Sequence, residues 1–318
     1  MSPASTTAGT TSRFVAQDEH GGTDRLRLAI RPVPEPGPGR VRVRVAVAGL
    51  NPVDWQIAAS PALAAAFGVA VPMGFGNDFA GVIDAVGDGV SRWAVGDRVF
   101  GGARVAALAD HVVLADVDPR LHRTPDGVDD RTAGVIDIAG RTASAVVDAL
   151  TLTRDDTVLI SAAAGGVGSL LVQLAVRTGA RVIGTGSPAS AAVIAGLGAE
   201  PVGYGSGLAD EVGRLAPAGI TAAADLFDAR TAEVALQLGV PPRRVVTIES
   251  DAPPPGTRAV NGSDARPGAL LELLELVAAG HLRVPVAATF PLERFAEAIE
   301  LQRRRHTHGK LAVELLPT

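Results

Sequence analysis

Residues 157–168 read TVLISAAAGGVG, and residues 169–178 continue SLLVQLAVRT. A short apolar run, a glycine-rich turn and a helical run follow one another without a gap. The dinucleotide fingerprint G-x-G-x-x-G carries information only in this strand–turn–helix context. Ala163, Gly165 and Gly168 take the three glycine positions, so the first glycine is replaced. Gly165 lets the backbone approach a pyrophosphate, and Gly168 lets the helix pack close to the strand. The start of the helix offers free N–H groups and partial positive charge to phosphate. Ala163, Gly165, Gly166, Val167 and Gly168 are therefore the candidate cofactor cradle. The plainer reading is a turn between two buried elements.

The rest of the chain extends this pattern. After residue 129 an Ala-rich helix (131–150) precedes the quoted strand. Strands are expected at 181–185, 222–227 and 243–248, and helices at 189–197 and 269–279. Alternating strands and helices imply a doubly wound parallel sheet covered on both faces. Before residue 129 the texture differs. Residues 40–48 read RVRVRVAVA, the period-2 alternation of a half-buried strand. Short strands follow at 81–86, 98–100 and 111–114, broken by Gly-Asp turns, which indicates a mostly β region. A helix (291–301) and a strand (310–315) close the chain, the strand being expected to rejoin the first region. The expected division is a flexible tail (1–12), a β-rich substrate domain (13–128), a nucleotide domain (129–282) and a return segment completing the substrate domain (283–318).

Composition excludes several classes. The 318 residues are 47% hydrophobic, enough for a sizeable core. A net charge of −5, with no basic stretch interleaved with aromatics, argues against nucleic-acid binding. No apolar run approaches the ~20 residues that span a bilayer. The Ser/Thr/Ala-rich start lacks the features of a signal peptide, so a cytoplasmic location is expected.

The strand at 181–185 bears on the choice of cofactor. NAD-binding folds place Asp or Glu about 20 residues past the glycines, on the ribose 2′-hydroxyl. Here residues 185–190 read TGSPAS, with no acid. A 2′-phosphate is thus permitted, Ser187 and Ser190 could donate to it, and NADPH is the expected cofactor. Tyr204, Arg303–Arg305 or Lys310 are candidates to complete that pocket.

Taken together, VRVRVAVAGLNPVDWQ (41–56), PMGFGNDFAGVIDAVGDGV (72–90), VGDRVFG (95–101), AGRTAS (139–144), AAGGVGSLLVQLA (163–175) and GKLAVEL (309–315) resemble the medium-chain dehydrogenase/reductase superfamily. The similarity is to its zinc-independent quinone oxidoreductase and enoyl reductase branch. The resemblance implies a GroES-like substrate domain built from both chain ends, an active site in the cleft between domains, and a homodimer. It also implies roles: Asn51 and Asp54 near the nicotinamide, Thr142 at the nicotinamide end, and Thr247, Ile248 and Glu249 at the strand end beneath it. Zinc-dependent relatives use Cys and His ligands. This chain has no cysteine and six scattered histidines, so no metal site is expected.

The remaining chemistry is hydride donation to a carbon activated by conjugation, in a quinone or an α,β-unsaturated carbonyl. The anion that forms needs hydrogen-bond donors. Gln56 stands where relatives carry Tyr or Lys; it can donate a hydrogen bond but delivers no proton near neutral pH. Asp137 and Arg141 replace Pro and Leu of the family segment. They form either a local ion pair on a helix or a substrate-recognition pair, with Arg141 the candidate contact. Asp54 is either a proton source or a structural acceptor. Trp55, Phe67, Phe75 and Phe79 either line a substrate pocket or pack the core. The expected activity is an NADPH-dependent reductase, with a composition suggesting a tailoring step of secondary metabolism. The alternative is a nucleotide-binding sensor or subunit on the same fold.

Overall fold

Val41, Val43 and Val45 bury completely while Arg40 and Arg44 face solvent, so the alternation at 40–48 does what its period demands. A computed structural model describes residues 10–248, 253–305 and 307–315. Its first strands are β1 (Thr11–Gln17), β2 (Leu26–Pro32), β3 (Arg40–Leu50), β4 (Met73–Gly74), β5 (Asp78–Val86), β6 (Arg98–Gly102), β7 (His111–Ala115) and β8 (Leu121–Arg123). β3 is the spine: it pairs antiparallel with β5 along one edge and with β7 through residues 40–44 on the other. Two short helices, α1 (Pro52–Ala59) and α2 (Pro61–Ala66), follow β3. Helices α3 (Asp130–Ala133) and α4 (Asp137–Leu150) lead into the next region.

There the strands are β9 (Thr157–Ile160), β10 (Arg181–Gly186), β11 (Glu200–Gly203), β12 (Ala222–Asp225), β13 (Val245–Thr247) and β14 (Arg258–Ala259). Among the described residues they form one six-stranded sheet in the order β11-β10-β9-β12-β13-β14. The pairings are parallel. This is the 3-2-1-4-5-6 order of a doubly wound nucleotide-binding sheet. Val158, Leu159 and Ile160 of β9 and Ala222–Ala224 of β12 are completely buried, as central strands covered on both faces must be. Helices α5 (Gly166–Arg177), α6 (Ala191–Gly196), α7 (Leu208–Leu215), α8 (Arg230–Gln237) and α9 (Ala269–Ala278) connect or flank them. The chain closes with β15 (Val286–Pro291), α10 (Phe295–Arg303) and β16 (Lys310–Glu314). β16 pairs antiparallel with β3 through residues 47–50, as expected of a returning strand.

The chain divides into two compact units. One holds residues up to Asp137, with Ala288–Arg305 and the chain from Leu311 onward. The other holds Ile138–Ala287 and the short stretch ending at Lys310. The first boundary falls later than 128 because α3 packs on β3, β5 and β6. The return segment is also split, residues 307–310 belonging to the nucleotide unit rather than completing the substrate domain. Two residues of the expected tail 1–12 are ordered strand instead: Thr11 and Ser12 lie in β1, and Ser12 is fully buried. Residues 1–9 of that tail lie outside the described residues.

Candidate active site

The glycine-rich turn is built by hydrogen bonds from the neighbouring strands. Ala162 takes a left-handed backbone conformation with φ 47°. Its N–H reaches Thr185 Oγ1 at 3.3 Å, and the Ala163 N–H donates to the Thr185 carbonyl at 3.0 Å. The Gly165 N–H closes the bend on the Ala162 carbonyl at 2.8 Å. Gly165 caps α5, and Ser169 N–H donates back to its carbonyl at 2.9 Å. The amides of Gly166, Val167 and Gly168 precede that first helical bond, so they have no acceptor within the helix.

Gly168 passes so close to the turn that a Cβ there would lie 2.2 Å from the Ala162 carbonyl oxygen. Ala163 explains the replaced first glycine. It is completely buried, and its methyl packs over Gly184, where a Cβ would sit 2.7 Å from it. The room for a methyl at 163 is thus provided by the absence of a side chain at 184.

Beneath the turn lies a buried polar knot. Ser161 Oγ accepts from Leu226 N–H at 2.6 Å and donates to Asp225 Oδ1 at 3.2 Å. Asp225 also accepts from Ala229 N–H at 2.7 Å and from Thr247 Oγ1 at 3.2 Å. Burial pushes the Asp225 carboxyl up from its ordinary value, against the pull of those hydrogen bonds. Thr247 is completely buried, its hydroxyl committed to Asp225. The side chain therefore braces the strand ends and is not presented as a cofactor contact. The Ile248 N–H donates to the Asp225 carbonyl at 3.1 Å. Glu249 lies outside the described residues.

The stretch before β16 seats on the turn. The Gly309 N–H donates to the Ala164 carbonyl at 2.8 Å, and Gly309 forms a parallel bridge with Gly165. Lys310, only 4% exposed, runs across Gly166, where a Cβ would fall 2.9 Å from Lys310 Cδ. Lys310 thus belongs to the glycine turn rather than to the Ser187–Ser190 region at the end of β10. His308 takes that place instead: its Nε2 lies 3.0 Å from Ser190 Oγ, which is 2.9 Å from Ser187 Oγ. His308 was not among the residues singled out. The available signal was its position, immediately before the GK pair that the resemblance aligns. Tyr204, 65% exposed at the end of β11, meets solvent. Arg303 pairs with Glu300 at 3.0 Å and lies over the Trp55 ring, so its interactions are elsewhere.

In the β-rich unit, Asn51 caps α1 and is 2% exposed. Asp54, equally buried, accepts from Asn51 N–H at 2.6 Å through Oδ2 and from Asn77 Nδ2 at 2.5 Å through Oδ1. Both carboxylate oxygens are engaged, so Asp54 acts as a brace for the first turn of α1; this geometry does not offer it as a proton source. Gln56, on the same helix, is partly exposed. Asp137 is 1% exposed and turns toward Gly102, where a Cβ would meet its Oδ2 at 2.7 Å. Its charge also acts on Arg120, whose guanidinium is held above its ordinary value chiefly by a hydrogen bond to Asp118. In the nucleotide unit, Thr142 Oγ1 donates to the Ile138 carbonyl at 2.7 Å, and Arg141 and Thr142 both border Gly262. Phe75 and Phe79 are core residues, 2% and 0% exposed, and Trp55 packs against the same cluster, so these three fill the core. Phe67 lies under Arg104.

Residues 37–117 match the alcohol dehydrogenase GroES-like domain, and residues 108–313 match the zinc-binding dehydrogenase family. The polyketide synthase system protein NorB of Streptomyces orinoci is 32% identical over 275 residues, covering 78% of this chain and 12% of NorB. The quinone oxidoreductase of Pseudomonas aeruginosa is 37% identical over 117 residues, covering 36% of this chain and 35% of that protein. The chain thus spans well under two thirds of the length of either relative. The solved quinone oxidoreductase of Coxiella burnetii superposes with a TM-score of 0.84 at 25% identity, covering 96% of this chain and all of that one. A solved NAD-dependent alcohol dehydrogenase gives 0.83 at 29% identity with the same coverage.

The second family description implies zinc. The chain has no cysteine, and among the described residues no three His, Asp or Glu side chains come together, so its residues do not fit that metal. No helix among the described residues is long and apolar enough to cross a membrane. Sequence family and sheet order agree: the chain belongs to the zinc-binding dehydrogenase family of the medium-chain dehydrogenase/reductase superfamily.

Proposed function

We propose that this chain is an NADPH-dependent reductase that works without a metal on a quinone or an α,β-unsaturated carbonyl compound. The observation that carries the reading is the turn at 165–168. It presents three amides without helical acceptors at the head of α5, and Gly309 and Lys310 are seated across it. These groups suit a pyrophosphate: the amides donate, and the helix terminus adds positive potential. At the end of β10 there is no acid to claim a ribose 2′-hydroxyl, and Ser187 and Ser190 lie in contact there. Bound NADPH supplies a hydride to the substrate carbon.

The chain's own groups have three tasks. Thr142, held by its bond to Ile138, orients the nicotinamide end. Asn51 and Gln56 donate hydrogen bonds to the oxygen on which negative charge develops. Asp54 holds Asn51 and the first turn of α1 in place. With Gln56 unable to deliver a proton, the second hydrogen comes from water. Arg141 suits a polar or anionic group on the substrate. The similarity to NorB favours a polyketide-derived enone over a simple quinone. Pairing of two copies along the β14 edge of the nucleotide sheet would make the dimer that the resemblance implies, in the cytoplasm.

The test is NADPH oxidation, followed by the loss of reduced-nicotinamide absorbance, against matched panels of quinones, enones and enoyl thioesters. Turnover with an enone or a quinone supports the proposal. Tight NADPH binding without turnover on any member would favour the sensor or subunit reading, which the full engagement of Asp54 and the glutamine at 56 also suit.

A further inference from the structure

We infer that Ser187, Ser190 and His308 form the recognition site for a phosphate on the adenosine ribose 2′-oxygen, with His308 setting the preference for the phosphorylated dinucleotide. This rests on the dinucleotide reading above. The end of β10, next to the strand carrying the glycine turn, is where folds of this order read the ribose hydroxyls. A dinucleotide lacking the phosphate is usually selected there by a carboxylate. The residue there is Gly186, where a Cβ would lie 2.5 Å from Ile194 Cδ1 and 3.0 Å from Ser190 Cβ. Ile194 is completely buried, so an acid at 186 would require that side chain to shift within the packed core. Packing as well as residue identity therefore disfavours an acid at this position.

What stands there instead is a row of three groups able to donate hydrogen bonds. Ser187 Oγ and Ser190 Oγ are 2.9 Å apart, and His308 Nε2 is 3.0 Å from Ser190 Oγ. Hydroxyls rotate freely to suit an acceptor, and an imidazole N–H adds a third donor, matching a group with three acceptor oxygens. His308 reaches this position through the main chain. The adjacent Gly309 N–H is bonded to Ala164 in the glycine turn, so the pyrophosphate cradle and the 2′-site are set by one tether. Glu211, the carboxylate of the helix after β11, is occupied by the Gly203 N–H at 3.2 Å.

The full chain is titrated with NADPH and NADH by calorimetry, and with 2′-phospho-AMP and AMP, which differ only in the phosphate. Wild-type protein should prefer the phosphorylated member of each pair. His308→Ala should weaken NADPH and 2′-phospho-AMP by about tenfold, the loss of one charge-assisted hydrogen bond, while NADH and AMP change by less than about twofold. His308→Gln, which keeps a donor, should recover part of the loss. Equal losses for NADPH and NADH, or none for either, would overturn the role of His308 and leave the dinucleotide reading standing. So would a wild-type protein that binds NADH as tightly as NADPH. Failure of the wild type to bind any of the four would overturn both.

Discussion

Gly168→Ala is the substitution on which the geometry of the turn makes its sharpest demand. The new Cβ would lie 2.2 Å from the Ala162 carbonyl oxygen and 2.9 Å from both the Ala162 carbonyl carbon and Ala163 Cα. An ordinary carbon–oxygen contact is about 3.3 Å, so the overlap is about 1 Å. All three atoms are backbone, and the turn that carries them is pinned to Thr185 by two hydrogen bonds. Relief therefore requires shifting the turn or the head of α5. Overpacking of this kind costs about 1–3 kcal/mol, from which the better helix propensity of alanine recovers up to about 1 kcal/mol. Gly213→Ala is the control: that glycine lies in α7, exposed, with open space at its Cβ, and the substitution should stabilise by about 0.5–1 kcal/mol. Urea denaturation followed by far-ultraviolet circular dichroism should give opposite signs for the two variants. NADPH affinity should fall at least tenfold in Gly168→Ala and stay unchanged in Gly213→Ala. A Gly168→Ala protein with wild-type stability and affinity would refute the close approach and the cradle built on it.

Two further substitutions probe the frame around the site. Asp156 sits in a half-buried junction. Burial works to raise its carboxyl, but hydrogen bonds from Thr221 Oγ1 and Thr153 N–H and the neighbouring Arg244 hold it below the ordinary value. A depressed folded value stabilises above the unfolded carboxyl range and is lost as pH falls through the folded value. Asp156→Asn should therefore cost about 1–3 kcal/mol at pH 7, with the gap to wild type closing below about pH 4 in urea titrations. A gap that persists unchanged into acid would contradict this. Asp54→Asn keeps one acceptor for two buried donors and loosens the first turn of α1. Steady-state turnover should drop on the order of 10–100-fold while NADPH affinity holds. Unaltered turnover would remove Asp54 from the positioning framework.

The nucleotide unit was the more legible half of the chain. Residues 157–186 carry an apolar run, a glycine turn and a second apolar run whose order admits little besides a parallel sheet, and β9, α5 and β10 form there. The β-rich unit was legible where Val and Arg alternate at 40–48. It was obscure at 11–32, where TSRFVAQ and LRLAIRP form an antiparallel pair; LRLAIR alternates, but Leu28 and Ile30 are exposed, so the alternation marks no buried face. β15, at 286–291, was hidden because VAATFP has neither alternation nor a continuous apolar run. In the candidate site, the placement of Gly165 and Gly168 in the strand-to-helix turn and of Ser187 and Ser190 just past β10 could be read, because local pattern sets it. The contact of His308 with Ser190 could not, since the two are 118 residues apart in the chain. The burial of Thr247 and the double engagement of Asp54 were equally out of reach, because both are set by tertiary partners, Asp225 and Asn77.

Isotope transfer from NADPH deuterated at nicotinamide C4 bears most directly on the reductase claim. With an enone acceptor, mass spectrometry should find one deuterium at the β-carbon of the saturated product, delivered from one face of the nicotinamide, and a solvent-derived hydrogen at the α-carbon. Product without the label, or cofactor left unconsumed at saturating enone and quinone, would contradict hydride donation by this protein.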